Sequence, residues 1–132
     1  MKREAINPPA LSEPRGYVHV TIVPAGKHVY ISGQVALDKA GNVVGKGDLA
    51  AQAEQVYKNL GEALKAAGAS FADVFKLTTY VVDVTPDKVA AVRAARAKAF
   101  ASEPFPSSTL VGVTGLVIPD LLLEVEAIAA ID

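Results

Sequence analysis

The chain has 132 residues, 51% of them hydrophobic and 20% charged, which suits one globular domain over residues 1–132 with a single core. A formal net charge of −1 offers no bulk attraction to nucleic acid or to an anionic membrane. The chain contains no cysteine and only two histidines, so neither disulfides nor a metal or other cofactor is expected. With no secretory signal and no apolar run of about 20 residues, the expected location is the cytoplasm.

The first elements in chain order are predicted to be strands. Residues 1–13 are charged and proline-containing and are predicted to be an irregular segment. Alternating apolar residues predict a strand over residues 18–23, and a β-branched run predicts a second over residues 28–32. The turn-forming residues 24–27 predict a hairpin between these two strands.

Two helices follow, each with a start signal. Asp48 is a suitable N-cap, apolar residues from 49 to 67 follow helical spacing, and Gly68 suits the position after the helix end. The second helix is predicted to start at Pro86, where the missing N–H costs nothing, and to run to about residue 101.

Three further strands complete the predicted order of ββ, helix, β, helix, ββ, over residues 74–82, 109–113 and 121–130. Two amphipathic helices on one face of a single sheet form a two-layer α+β domain. On the last strand the odd positions are all apolar and should face the helices. The even positions mix apolar and charged residues, which favours cover by another subunit.

Glu124 and Glu126 lie on one face of that last strand, roughly 7 Å apart by strand rise. A pair of carboxylates at this spacing suits proton transfer. Two solvated glutamates near a strand end are the simpler interpretation of the spacing alone.

Other candidates lie near the first two strands. Tyr17 and His19 point the same way on a strand, so a phenol and an imidazole could bind a carbonyl or a carboxylate together. In Ser32-Gly33-Gln34 the glycine would let backbone N–H groups approach a ligand, and the serine adds a hydroxyl donor. Ordinary packing of the aromatic residues and an ordinary turn at the glycine remain the alternatives.

Together with Ser32-Gly33-Gln34, the segment Pro-Ser-Ser-Thr-Leu-Val-Gly-Val at residues 106–113 and the Glu-x-Glu pattern at 124–126 resemble the reactive-intermediate deaminase (Rid) family. This family is also called YjgF-like or L-PSP endoribonuclease. The resemblance runs from about residue 14 to residue 129. It implies a chorismate-mutase-like fold with a single mixed sheet and two helices on one face. It also implies a homotrimer around a central β-barrel, with small-molecule pockets at the subunit interfaces.

The resemblance also assigns roles. Glu124 stands at the position of the family's pocket glutamate, which positions water, and Tyr17 at that of a pocket tyrosine, although the proline that directly precedes this tyrosine in the family is missing. Ser32, Gly33 and Thr109 fall in the substrate-binding motifs. His19 is a candidate from its own chemistry and not from the family.

Ser108 departs from the family pattern. Deaminating members have an arginine there, which binds the substrate carboxylate by a two-pronged, charge-assisted bond that a serine hydroxyl cannot reproduce. Either the substrate has no carboxylate at that end, or another cation binds it, with Arg15, Arg93 and Arg96 as candidates whose simpler interpretation is solvated surface charge. Ser108 itself is predicted to bind substrate, as part of a hydroxyl cluster suited to a polar neutral ligand. The expected function is therefore a hydrolase of a small imine, enamine or related C–N compound that is inefficient on 2-aminoacrylate. The alternative is a non-catalytic small-molecule binding protein. An endoribonuclease ranks third, because the chain has no basic stripe and only 6% aromatic residues.

Overall fold

The computed structural model describes residues 3–24, 26–101 and 104–132. Within these ranges the fold consists of six strands, two α-helices and one 3₁₀ turn. In chain order they are β1 Glu4–Ile6, β2 Val20–Ile22, β3 Lys27–Gln34, α1 Leu49–Ala66, the 3₁₀ turn Phe71–Asp73, β4 Val74–Val82, α2 Pro86–Ala99, β5 Ser107–Val113 and β6 Leu123–Ile131.

Both helices begin where the sequence predicts. The Asp48 side chain accepts a hydrogen bond of 3.1 Å from the Ala51 N–H at the start of α1, and Gly68 follows the helix end with φ of +74°. At the start of α2, Pro86 occupies the first turn behind the N-cap Thr85. These caps satisfy N–H groups that have no partner within the helix. Both predicted start signals are confirmed.

The main sheet has four strands in the order β3-β6-β4-β5. Strand β6 pairs antiparallel with β3 on one side and with β4 on the other, whereas β4 and β5 are parallel. The parallel pair follows from α2, because two parallel neighbours need a crossover connection. The predicted two-layer α+β architecture with a mixed sheet is confirmed.

The core lies between the helices and one face of the main sheet. On β6 the odd positions from Leu123 to Ala129 are at most 1% exposed, as the alternation of the sequence predicts. Helix α1 packs Val56, Leu60 and Leu64 against them, and Val92 joins from α2. This burial supplies most of the stability that the hydrophobic effect can give the fold.

Two expectations for the N-terminal region are wrong. Residues 1–13 are not wholly irregular, because Glu4–Ile6 forms β1 and pairs antiparallel with β2. Strand β2 therefore belongs to a separate two-stranded sheet and forms no hairpin with β3. The turn predicted over residues 24–27 includes Ala25, which lies outside the described residues. The small sheet adjoins the main one beside β5, where Val18 bridges to Ser107.

One buried polar side chain connects helix α1 to the start of β6. The Gln52 amide is fully buried and donates hydrogen bonds of 3.2 Å to the Gly45 carbonyl and 2.9 Å to the Asp120 carbonyl. Its Oε1 accepts a 2.9 Å bond from the Leu122 N–H. Because all three contacts satisfy backbone groups of loops, Gln52 fixes two loops against the helix.

In the described part of the chain, no helix combines the length and the apolar character needed to cross a membrane.

Candidate functional site

The sheet face away from the helices carries Glu124, Glu126 and Thr109. Glu124 lies opposite Tyr80 on β4, and Glu126 lies opposite Thr78. Thr78 in turn lies opposite Thr109 on β5. Paired residues on neighbouring strands share a face, so these side chains form two polar rows across the sheet. We call this surface the open face.

Glu124 lies directly over Gly33. A β-bulge interrupts β3 here, because Ile31 pairs with Ala127 whereas Gln34 pairs with Val125. A Cβ on residue 33 would overlap the Glu124 carboxylate, chiefly Oε2. The glycine is therefore needed for space, and it brings the carboxylate onto the backbone of the Ser-Gly-Gln motif. The structure thus places Glu124 and Gly33 together.

The two glutamates differ in their hydrogen bonding. The Tyr80 hydroxyl donates a hydrogen bond of 2.6 Å to Oε1 of Glu126. This bond, followed by burial and by the charges of both glutamates, raises the pKa of the Tyr80 phenol above its usual value. Among the residues that the structure describes, Glu124 has no hydrogen-bond or ion-pair partner. Glu124 is therefore the carboxylate that remains available to a ligand or a water molecule.

The hydroxyl cluster on β5 divides between the two faces. Thr109 lies on the open face, where its Oγ1 accepts a 2.8 Å bond from Nζ of Lys76. Ser108 lies opposite the buried Leu77, so the register puts it on the side of the sheet that faces the helices. Within one chain, Ser108 and Glu124 are therefore on opposite faces, and the structure does not bring them together.

Tyr17 and His19 come together near the small sheet. Both residues precede β2, which begins at Val20, so the prediction that they lie on one side of this strand is wrong. Their rings nevertheless make an edge-to-face contact with centroids 5.4 Å apart. The His19 Nε2 donates a 2.7 Å bond to the Ser12 carbonyl, so one ring nitrogen is engaged locally. Within the described residues, neither Tyr17 nor His19 contacts Glu124 or Gly33 through a hydrogen bond, an ion pair or a ring contact.

Tyr80 and Lys76 are the residues that analysis of the sequence missed. Both lie on β4, whose apolar run obscured the alternation of the strand. A period-two count would have placed Lys76, Thr78 and Tyr80 on the face opposite to Leu77 and Val81. The alternation in β4 was therefore visible in the sequence. It identifies the face on which Tyr80 and Lys76 lie, but not the residues with which they form hydrogen bonds.

The concavity between the two helices lies on the other side of the sheet. It is a cleft of about 580 Å³ between α1 and α2, lined largely by alanines, and it contains none of the predicted site residues. In the described ranges, the histidine and acidic side chains form no group of three that could hold a metal ion.

These features define a class of protein: a chorismate-mutase-like α+β domain with a glutamate presented on the open face of its sheet. The Endoribonuclease L-PSP family model matches residues 9–131. A RutC family protein of Pyrococcus horikoshii is 39% identical over 108 residues, covering 81% of this chain and 82% of that protein. The chain therefore belongs to the L-PSP endoribonuclease family, also known as Rid or YjgF.

Other relatives agree with this assignment. The human 2-iminobutanoate/2-iminopropanoate deaminase is 43% identical over 56 residues, which cover 42% of this chain and 41% of that enzyme. The crystal structure of the Rid family protein YyfB of Yersinia pestis superposes with a TM-score of 0.94 at 39% identity, covering 99% of this chain and all of the other. RidA from an Antarctic Psychrobacter gives a TM-score of 0.71 at 32% identity, with 83% of this chain and 85% of that one covered.

Proposed function

We propose that this protein hydrolyses a small imine, enamine or related C–N compound, with Glu124 as the group that activates water. The observation that carries the proposal is the Glu124 carboxylate, which lies over the Gly33 backbone without a protein partner among the described residues. The imine deaminases among the relatives give the reaction type.

The proposed reaction needs water and no cofactor. Glu124 accepts a proton from water, and the oxygen adds to the imine carbon while the C=N electron pair goes to nitrogen. The nitrogen takes up the proton that Glu124 accepted, which gives a carbinolamine. The hydroxyl proton then passes by way of Glu124 to the nitrogen, the C–N bond breaks as the C=O bond forms, and a carbonyl compound and ammonia leave. Backbone N–H groups near Gly33 and the Ser32 hydroxyl would orient the substrate, with Tyr17 and Thr109 as further contacts and His19 beside Tyr17.

The proposed substrate class excludes efficient turnover of 2-aminoacrylate. Ser108 offers one neutral donor where deaminating members have an arginine, and its register puts it on the face opposite to Glu124. Loss of a buried charge-assisted contact of this kind costs a few kcal/mol, about 2–5 in measured interfaces. Rapid ammonia release from 2-aminoacrylate, at the rate of arginine-bearing relatives, would contradict this part.

The decisive experiment compares two variants of adjacent open-face carboxylates. Imines generated by several amino-acid oxidases are screened for ammonia release, and Glu124→Gln and Glu126→Gln are then measured on the best substrate. Glu124→Gln should retain the fold and ligand binding while reducing turnover by roughly 10²–10⁴-fold, as expected for a lost general base. Glu126→Gln should lose much less, because its carboxylate is already bonded to Tyr80.

A non-catalytic binding protein is the second candidate. It is favoured by the presence of Ser108 where deaminating members of the family have an arginine. A wild type that binds screened compounds tightly and turns over none of them would establish this alternative. Ribonuclease activity ranks last, because the net charge of −1 and the 6% aromatic content provide neither phosphate neutralisation nor base stacking.

We also propose that the active form is a homotrimer with its open faces inward. The open face carries two large hydrophobic side chains that water reaches in the single chain: Tyr30 is 73% exposed and Val111 is 41% exposed. Exposed hydrophobic surface of this kind favours cover by another subunit. Light scattering should give three times the chain mass of 13.7 kDa. A monomer or a stable dimer at micromolar concentration would contradict the proposal.

A further inference from the structure

A small cavity on the helix side of the molecule is lined by two arginines. It has a volume of about 190 Å³ and lies between the last turns of α2, the loop at Gly16 and the segment that leads into β5. Arg93 and Arg96 stand at positions i and i+3 of α2, so they project from the same side of the helix. The remaining lining residues are Gly16, Ala97, Phe100, Ala101 and Phe105.

The Arg96 guanidinium is half-buried and lies against Gly16. A Cβ on residue 16 would come within 2.9 Å of Arg96 Nη2, and Gly16 adopts a φ of +74°. The glycine therefore serves two purposes, because it allows the left-handed turn and leaves room for the guanidinium. Burial lowers the pKa of Arg96 below its usual value, and the charge of Arg93 acts in the same direction.

In residues 3–24, 26–101 and 104–132, no carboxylate forms an ion pair with either of these two cations. Within the described residues, neither guanidinium has an ion-pair or hydrogen-bond partner. The favourable polar neighbour of Arg96 is Tyr57, whose phenol is neutral at pH 7, and burial raises the pKa of this phenol further, to about 12. The dipole of α2 favours a cation in the last turn, but it explains neither the pairing of two arginines nor the burial of one.

We propose that this cavity is a binding site for a small organic carboxylate. Two guanidinium groups can hold a carboxylate by charge-assisted, two-pronged hydrogen bonds. Phe100 and Phe105 give an apolar wall for a short chain or a single ring. The volume of about 190 Å³ is below the roughly 300–1,000 Å³ of sites for drug-sized ligands, so the occupant is small.

This site is distinct from the open face. Helix α2 covers the side of the sheet on which Leu77 and Val125 are buried, whereas Glu124 lies on the opposite side. A carboxylate held by Arg96 therefore does not compete with a substrate at Glu124. The proposal does not depend on the proposed hydrolase activity.

The test is calorimetric titration of the full-length protein with sodium benzoate, supported by melting curves, because a ligand that binds the folded state raises the melting temperature. Wild type should bind benzoate more tightly than acetate or inorganic phosphate, because only benzoate uses the aromatic wall. Arg96→Gln should weaken benzoate binding at least about tenfold. Arg93→Gln should have a smaller effect, since its side chain is exposed.

Three further variants make the test specific. Arg15→Gln removes the same charge next to Gly16 without lining the cavity, and it should leave binding unchanged, as should Glu124→Gln. Ala97→Leu fills the cavity from an exposed helix position and should block binding even if Arg96→Gln folds poorly. Equal losses in Arg15→Gln or Glu124→Gln, or equal binding of phosphate, would overturn the proposal.

Discussion

The two faces of strand β6 are built from alternate residues of the same nine-residue segment, yet they differ in burial and in charge. Leu123 and Val125 are fully buried against the helices. Glu124 and Glu126, one step along the chain, point to the open face and carry charge. A single strand thus contributes apolar side chains to the core on one side and carboxylates to the open face on the other.

This contrast separates stability from function at the level of single residues. The covered face is tightly packed, so its contribution is the burial of apolar surface. The open face holds a carboxylate that is bonded to Tyr80 and one that lies over a glycine. Changes on the first face should alter folding, and changes on the second should alter binding or turnover.

The largest expected effect is on the covered face. Leu123→Ala removes a fully buried side chain and should lower the free energy of unfolding by about 2–5 kcal/mol, because it leaves a cavity in a packed core. Chemical denaturation measures this change. Val117→Ala is the matched control, since Val117 is 83% exposed and its truncation should change stability by no more than about 0.5 kcal/mol. Similar values for both variants would contradict the assignment of Leu123 to the packed core.

A smaller effect is expected where the open face is tightly packed. Gly33→Ala introduces a methyl group into the space of the Glu124 carboxylate, which is the end of a flexible side chain and can move. Turnover of a wild-type substrate should fall at least about tenfold while the melting temperature stays close to wild type, because displacement of a positioned base is costly. Gly115→Ala has open space around its Cβ and should keep full activity. Equal activity in both variants would remove the positional role of Gly33.

The smallest expected effect is a shift in titration. The folded-state pKa of Tyr80 is raised by its bond to Glu126, so the bond is complete below the ordinary tyrosine pKa near 10 and is lost as pH rises through the higher folded-state value. In Glu126→Gln, the phenol should ionise at lower pH than in wild type. Ultraviolet absorbance during alkaline titration, with Tyr80→Phe to identify the signal, measures this. If Glu124→Gln lowered the pKa of Tyr80 more than Glu126→Gln does, the bond to Glu126 would not be the main cause of the raised pKa.

Local signals predicted the helices and the core of this fold well. Asp48, Pro86 and Gly68 act through contacts within a few residues, and the apolar alternation of β6 is visible directly in the chain. The pairing of β2 was not predictable in this way. Strand β1 has three residues and lacks a distinctive pattern. Its residues pair with residues 14 to 18 positions away, Glu4 with Ile22, Ala5 with Thr21 and Ile6 with Val20.

The site was predictable in its residues but not in their arrangement. The motif at residues 32–34 and Glu124 could be found in the chain, and the structure places Gly33 against Glu124. The family resemblance already favoured Glu124 over Glu126, but their difference in hydrogen bonding depends on Tyr80, which is 46 residues from Glu126 in sequence and is found only through strand register. The face of Ser108 likewise depends on the parallel pairing of β5 with β4, which no local pattern encodes.

The buried Gln52 gives helix α1 a role in the site on the far side of the sheet. Its amide holds the backbone at Asp120 and Leu122, immediately before β6 begins. A shift of the pairing register of β6 by one residue would exchange its two faces, so that the Glu124 side chain would point toward the core. The Leu122 amide should therefore exchange its hydrogen only when α1 and the start of β6 open as one cooperative unit. A Gln52 variant is thus expected to misplace the Glu124 carboxylate without altering any residue that touches it.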